Sequence, residues 1–165
     1  MSSTESAAKI LLRPATLSDL AGVIEVEQLS FVHAGERFSQ RRVRYLIVNP
    51  RSIVKVAVQG DGVLAWSAGL VWLRGQKPWG RIYALAVHPQ ARGKRLGPRL
   101  LNDMVASLRK RGAERVFLEV RVDNRSAIKL YEAAGFRVCR VLQNYYGPNL
   151  PAQRMELPAD HGVGA

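Results

Sequence analysis

The apolar and polar residues of this chain repeat with two different periods, and the changes of period divide the sequence into strands and helices. Residues 52–59, SIVKVAVQ, have the pattern of a strand, whereas Leu100, Met104 and Leu108 recur every four residues, as on one face of a helix. Seven segments have strand-like patterns: residues 9–14, 52–59, 63–74, 79–88, 115–122, 136–142 and 153–157. Four segments have helical spacing: about ten residues after Ser18, residues 40–48, residues 97–111 and residues 124–136.

Caps and breakers mark the ends of several of these segments. Ser39 is suited to cap the second helix, and Asn49-Pro50 ends it. Gly60-Asp61-Gly62 predicts a hairpin between the second and third strands. The order β–α–α–β–β–β–α–β–α–β–β predicts an α/β (α+β) fold, with a mixed, mostly antiparallel sheet of about seven strands flanked by about four helices.

Length and composition predict one domain over residues 9–157. The chain has 165 residues, of which 47% are hydrophobic, so it can bury one good core, whereas two would be cramped. Residues 1–8 and 158–165 are small or polar, and we expect both ends to be flexible. No apolar stretch approaches the length of a membrane span and the N-terminus lacks the order of a secretory signal, so we expect a cytoplasmic protein that does not contact membranes.

The single cysteine, Cys139, excludes an internal disulfide and a cysteine metal cluster. It lies between Val138 and Arg140 in a strand-like segment. We therefore expect a buried, small apolar residue rather than a nucleophile.

The chain is strongly basic, with 25 Lys and Arg against 13 Asp and Glu and a formal net charge of +12. This balance favours anionic partners such as nucleic acid, ribosomes or a phosphorylated cofactor, without choosing between them. Eight of the cations fall in one stretch of 24 residues: Arg92, Lys94, Arg95, Arg99, Arg109, Lys110, Arg111 and Arg115. The last four lie at the C-terminal end of the predicted helix 97–111, where they complement its negative pole.

Residues 86–101, AVHPQARGKRLGPRLL, have the sequence of a strand that turns into a helix through a basic, glycine-spaced loop. Pro89 stops the strand, Gly93 and Gly97 bracket the turn, and Pro98 fits a first helical turn. Successive backbone amides in such a turn, at the positive end of a helix, can hold a pyrophosphate. The pattern alone leaves open an ordinary strand-to-helix connection with solvated arginines.

A second motif supports the phosphate interpretation. Residues 124–136, NRSAIKLYEAAGF, form a short amphipathic helix with Gly135 as its C-cap. The pattern VxPxxRGxxxG from Val87 to Gly97, followed by NxxAxxLYxxxGF from Asn124 to Phe136, resembles the two signature motifs of the GNAT family of acetyl-CoA-dependent N-acetyltransferases. LEVR at residues 118–121 and NYY at residues 144–146 resemble its ribosomal-protein-alanine N-acetyltransferase branch. The resemblance is close over residues 80–157 and concerns only the general layout in the first half.

The resemblance implies a fold in which two neighbouring parallel strands splay apart to admit the pantetheine arm of acetyl-CoA, a diffusible cosubstrate, and it implies no metal. It places cofactor-binding residues at a strand end, in the turn and in the second motif: Leu85, Ala86, Val87, Arg92, Gly93, Lys94, Arg95, Leu96, Gly97, Pro98, Asn124, Ser126 and Tyr131. Arg95 stands where the family usually has glycine, and we expect an ordinary φ there, with the side chain directed to a phosphate or to water. Asn124 would bind the pantetheine arm or cap its helix.

Two residues are candidates for proton transfer during acetyl transfer to an amine. Glu119 is the only carboxylate of its strand, and the resemblance implies that it is the base, directly or through water; the alternative is an outward-facing residue paired with Arg121 or Arg137. His88 is a second candidate base. Tyr131, with a reference pKa near 10, is the candidate acid for the leaving thiolate, and its alternative role is to fill the core.

A protein N-terminus is the acceptor that the chemistry and the resemblance favour, a ribosomal protein among the candidates. About a tenth or more of an α-amine, with a reference pKa near 7.7–8.0, is uncharged at neutral pH, whereas a lysine is almost fully charged. A small amine or a lysine is the alternative acceptor. We expect the loops at residues 29–38 and 143–152 to select the acceptor, with Glu27 or Glu36 attracting its charge. The substrate-binding candidates are Phe31, Glu119, Tyr145 and Tyr146.

A basic module that binds RNA or the ribosome without catalysis is the rival interpretation from another class. Such a binder would need neither Glu119 nor Tyr131, so the presence of both favours an enzyme. The sequence leaves the oligomeric state open between a monomer and a homodimer.

Overall fold

The computed structural model describes residues 8–160, which form one seven-stranded sheet with helices on both faces. The strands are β1 (Leu11–Pro14), β2 (Ser52–Gln59), β3 (Gly62–Arg74), β4 (Lys77–Val87), β5 (Arg115–Arg121), β6 (Arg137–Leu142) and β7 (Ala152–Leu157). The α-helices are α1 (Leu20–Ser30), α2 (Gln40–Val48), α3 (Leu96–Lys110) and α4 (Arg125–Ala133). Neighbouring strands follow the order β1-β2-β3-β4-β5-β7-β6, and all described pairs except β4 and β5 are antiparallel. The predicted fold class is confirmed.

The alternation of side chains along β2 explains why helices cover both faces of the sheet. Ile53 packs in the core cluster formed with α3 and α4, whereas its neighbour Val54 packs in the cluster formed with α1 and α2. Successive residues of a strand point to opposite faces, so the two helix pairs lie on opposite sides of the sheet. The predicted apolar stripe of α3 is fully buried against it: Leu100, Met104 and Leu108.

β4 and β5 pair only briefly before they separate. Their parallel register joins Trp79 to Arg115 and ends where Arg81 faces Phe117, although both strands continue. β4 contains a bulge, because its extra residue Tyr83 has no partner on β3, and a bulge bends the strand that carries it. β5 instead pairs with β7 as far as its last residue. The ends of β4 and β5 therefore diverge and open a cleft.

The start of α1 differs from the prediction that Ser18 caps it. The helix begins at Leu20, after a 3₁₀ turn that starts beyond Thr16. Asp19 accepts hydrogen bonds from the Arg13 guanidinium at 2.8 and 2.9 Å and from the Thr16 amide at 2.8 Å. These bonds hold the pKa of Asp19 below its usual value and fix the turn ahead of the helix.

The prediction that Cys139 is buried was wrong. Cys139 is exposed, in β6, which is an edge strand of the sheet. The register between β6 and β7 shifts between Val138 and Arg140, so Cys139 is an extra residue in the ladder. The apolar pattern of this segment does not reveal that its strand lies at an edge, where side chains stay accessible.

Residues 1–7 and 161–165, which hold most of the two ends predicted to be flexible, lie outside the described residues. The start of the predicted tail is described, and Arg109 of α3 binds the Pro158 carbonyl at 3.0 Å and the Asp160 carboxylate. Within the described part of the chain, no helix has the length and apolar character needed to cross a membrane.

Candidate active site

A cavity of about 470 Å³ lies where β4 and β5 diverge. Both loops that were predicted to select the acceptor contribute to its wall, together with β4, β5 and α4. The predicted site residues that line it are Phe31, Leu85, Glu119, Asn124, Tyr131, Tyr145 and Tyr146. Ala86, Val87, Ser126 and the turn at residues 92–98 lie outside its lining. The fold therefore places the candidate acceptor-binding residues and the candidate proton-transfer residues around one cavity. The turn at residues 92–98 lies outside the lining of this cavity.

The turn between β4 and α3 presents a row of free backbone amides. Gly93 has a φ of +83° and Arg95 a φ of +57°, which gives the turn the alternating backbone conformation of an anion-binding nest. A Cβ atom on Gly93 would meet nothing within 4 Å, so the space beside it is open. Because α3 begins at Leu96, the turn lies at the positive end of that helix. Five consecutive amides donate to no other described backbone group: Gly93, Lys94, Arg95, Leu96 and Gly97.

Arg95 does not have the ordinary φ that we expected. It occupies the left-handed region, with φ 57° and ψ 28°, immediately before α3. A residue with a Cβ atom costs about 1–2 kcal/mol more there than in the right-handed region. The turn requires this conformation whatever residue fills it, which explains why glycine suits the position.

We expect Arg95→Gly to raise the free energy of unfolding by about 0.5–1 kcal/mol. Glycine removes the strain of the left-handed conformation, but it also increases the entropy of the unfolded chain, which cancels part of the stabilisation. Urea denaturation of both proteins measures the difference. Lys94→Gly is the matched control, because Lys94 is not among the residues with positive φ, and it should lower stability. An Arg95→Gly protein no more stable than the unchanged chain would contradict this account.

Tyr131 belongs both to the core and to the cavity. It is 7% exposed and packs on Phe136, with ring centroids 6.0 Å apart. Burial alone raises the pKa of its phenol to about 12, with no hydrogen bond contributing. The hydroxyl therefore stays protonated at neutral pH and has a proton to donate.

Two arginines hold the Glu119 carboxylate. Its Oε2 accepts from Nε and Nη2 of Arg81 at 3.2 and 3.1 Å, and its Oε1 accepts from Nε and Nη2 of Arg154 at 3.1 and 2.9 Å. The side chain is only 4% exposed. Four charge-assisted hydrogen bonds thus fix Glu119 between β4 and β7. The alternative pairing with Arg121 or Arg137 is wrong, because the backbone pairing of β5 between β4 and β7 brings other arginines closer.

The loop before β7 is tied to the same group of residues. Arg81 Nη2 donates to the Tyr145 hydroxyl at 2.8 Å, and the Tyr146 hydroxyl donates to the Glu119 carbonyl at 3.1 Å. The two tyrosine rings meet edge to face, with centroids 4.9 Å apart. Glu119 and Arg81 therefore fix the position of both tyrosines.

The loop after α1 closes onto this loop from the other side. A Cβ atom on Gly35 would lie 1.8 Å from the Tyr146 carbonyl oxygen, so the two backbones touch. Arg121 of β5 forms an ion pair with Glu36 at 2.6 Å. The two loops are therefore in direct contact at the cavity that both of them line.

Glu27 is the second buried carboxylate of the cavity wall. It is 1% exposed, and its oxygens accept from Trp66 Nε1 and from the Phe38 amide, both at 2.9 Å. Burial raises the pKa of Glu27 to about 7. Since Glu36 is paired with Arg121, Glu27 is the better placed of the two carboxylates that we expected to attract the acceptor's charge.

Three further candidates have local roles in the backbone. Asn124 caps α4 by accepting from the Ala127 amide at 3.3 Å, and Ser126 donates to the Asn124 side chain at 3.3 Å. Asn124 still lines the cavity. His88 accepts from the Gln90 amide at 3.1 Å, which stabilises a turn outside the cavity lining.

The profile of the acetyltransferase (GNAT) family matches residues 20–136 of this chain. The chain belongs to the GNAT family. A Bacillus subtilis protein named as a candidate ribosomal protein bS18-alanine N-acetyltransferase is 32% identical over 141 residues, which cover 86% of this chain and 89% of that protein. The Escherichia coli ribosomal protein bS18-alanine N-acetyltransferase is 40% identical over 65 residues, 39% of this chain and 44% of that protein. The crystal structure of the Escherichia coli ribosomal-protein-S18-alanine N-acetyltransferase superposes with a TM-score of 0.79 at 25% identity, over 95% of this chain and all of that one.

The sequence analysis missed the two partners of Glu119: Arg81, which lines the GNAT cleft, and Arg154, which does not. Both are charged residues inside strand patterns, RIYALAV and AQRMEL, which is the anomaly that drew attention to Glu119. Applied to every strand, the same criterion selects them only together with other charged strand residues, such as Lys55, Arg115 and Arg140. In residues 8–160, no three His, Cys, Asp or Glu side chains are placed to hold a metal ion, and the absence of a metal stays a prediction.

Proposed function

We propose that this GNAT enzyme transfers an acetyl group from acetyl-CoA to the α-amine of a protein N-terminus. The observation that carries the proposal is the cleft between β4 and β5, which is lined by two touching loops and whose strand β4 leads into a turn of free amides. Relatives that are named as ribosomal protein bS18-alanine N-acetyltransferases support this acceptor class. A cytoplasmic location is part of the proposal.

The residues of the cleft suit acetyl-CoA. The amides of residues 93–97 and the positive end of α3 can hold its pyrophosphate, and Lys94 adds positive charge. The divergence of β4 and β5 leaves strand edges for the pantetheine arm, near Asn124 and Leu85. Bound acetyl-CoA supplies an activated thioester, so the protein need only orient the amine and move protons.

Two proton transfers are needed for the reaction. The C–N bond forms as the C–S bond breaks, the amine loses one proton and the thiolate gains one. Tyr131 holds a proton on its hydroxyl and is our candidate donor to the sulfur. Because four guanidinium hydrogen bonds occupy the carboxylate of Glu119, its candidate base role, directly or through water, requires one of these bonds to open. Glu27 is the competing base, since each of its oxygens accepts only one hydrogen bond.

The acceptor class is tested by measuring CoA release with matched peptides. One peptide starts with a free alanine and contains no lysine; the second has the same sequence with a blocked N-terminus and one internal lysine. We expect turnover of the first only. Faster turnover of the blocked peptide, or of small amines, would assign the alternative acceptors, and CoA binding without any turnover would favour the non-catalytic basic module.

We expect Gly93→Pro to abolish acetyl-CoA binding measured by calorimetry, because proline removes one amide donor and cannot adopt a φ of +83°. Binding to the unchanged protein should weaken as salt rises from about 0.1 to 0.5 M, since a charge contribution is screened. Lys94→Ala keeps every amide and should weaken binding only modestly. No detectable binding to the unchanged protein at low salt would overturn the proposed function.

A further inference from the structure

A second cavity, also of about 470 Å³, adjoins the first at α2. Ser39, Arg42 and Tyr83 line both cavities, so the two meet at these residues. We call the second cavity the α2 pocket. Arg41, Tyr45, Asn49 and Ser52 complete its polar lining.

Cations line the α2 pocket, and carboxylates do not. Arg41 and Arg42 are its charged residues, and neither has an ion-pair partner within residues 8–160. In the first cavity, by contrast, Arg81 and Arg121 are paired with Glu119 and Glu36, and Arg37 donates to backbone carbonyls. The unpaired positive charge of the two adjoining cavities therefore lies mainly in the α2 pocket.

The Arg42 guanidinium is held in place at the junction. It lies 5.4 Å from the centroid of the Phe38 ring and 5.8 Å from that of Tyr83. The Arg42 amide donates to Ser39, the N-cap of α2, so the residue lies in the first turn of the helix, which also favours an anion. An arginine fixed by two rings loses less side-chain freedom when it binds a carboxylate.

We propose that the α2 pocket binds an acidic side chain near the N-terminus of the acceptor polypeptide. This inference rests on the proposed function. With the α-amine in the first cavity, an extended chain advances about 3.3–3.6 Å per residue, which brings residues two to four toward the junction at Arg42. The enzyme then prefers N-termini with Asp or Glu at these positions over those with Lys or Arg.

The test compares kcat/KM for three peptides that start with alanine and differ only at residues two to four, which are all Glu, all Gln or all Lys. At low salt we expect the Glu peptide to exceed the Gln peptide about fivefold and the Lys peptide by more, because an exposed ion pair is worth only a few-fold in affinity. The preference should shrink in about 0.5 M salt. Arg42→Ala should remove most of it, and Arg42→Lys should keep part of it.

Arg44→Ala is the matched control, since Arg44 is on the same helix, is exposed and lines neither cavity. It should keep the full preference. Equal rates for all three peptides, an equal effect of Arg42→Ala and Arg44→Ala, or a uniform drop on every peptide in Arg42→Ala would each overturn the inference. Failure of the proposed function gives a different result, in which no free N-terminus is acetylated.

Discussion

Tyr131→Phe is expected to lower kcat by about 100-fold, or about 2.7 kcal/mol, with little change in the KM for acetyl-CoA. The substitution keeps the ring that packs on Phe136 and removes only the hydroxyl of a residue that lines the cavity. A proton donor acts in the transition state and contributes little to cofactor binding, so kcat and not KM carries the loss. Steady-state kinetics with saturating peptide measures the effect.

A measurement of stability distinguishes the proton-donor role of Tyr131 from a role in core packing alone. The Tyr131 hydroxyl gains no hydrogen bond that shifts its pKa, so its removal should leave the urea unfolding midpoint nearly unchanged. Tyr45→Phe is the control for loss of an exposed phenol outside the first cavity, and with a peptide that has no acidic residue at positions two to four its kcat should equal that of the unchanged enzyme. An unchanged kcat in Tyr131→Phe would leave Tyr131 with its core-packing role alone.

Glu119→Gln is expected to lower the free energy of unfolding by about 3 kcal/mol. The amide replaces a carboxylate that accepts four guanidinium hydrogen bonds, so Arg81 and Arg154 lose their counter-charge in a partly buried place. Urea denaturation measures the loss. Glu156→Gln is the control, because Glu156 pairs with Arg115 only at 3.8 Å and lies outside the first cavity; it should change stability little.

The pH dependence of Glu119→Gln tests its role in proton transfer. If Glu119 removes the amine proton through water, the variant's kcat/KM deficit should be largest at low pH and should disappear at about pH 8.5–9, where an α-amine deprotonates unaided. A deficit independent of pH would mean that Glu119 only positions Tyr145 and the loop before β7. If the kcat/KM deficit of Glu27→Gln decreases as pH rises while that of Glu119→Gln stays constant, Glu27 and not Glu119 is the base.

Much of the candidate site was predictable because its signals are local. Tyr131 stood out on the inner face of its helix and Glu119 as a carboxylate within a strand, the GNAT resemblance implied their roles, and both line one cavity. Arg81 and Arg154 were missed as partners of Glu119 because the three residues come from different strands. Only the sheet order places β5 between β4 and β7, so no pattern along the chain links these charges.

The sequence by itself determined the order of strands and helices, the cap at Ser39 and the turn of free amides, because each depends on periodicity or on residues a few positions apart. The tertiary structure decided the left-handed Arg95, the exposed Cys139 and the contact between Gly35 and Tyr146. Each of these depends on which segments become neighbours. Which segments become neighbours depends on burying the apolar faces of all strands and helices together, and a pattern within one segment does not carry this information.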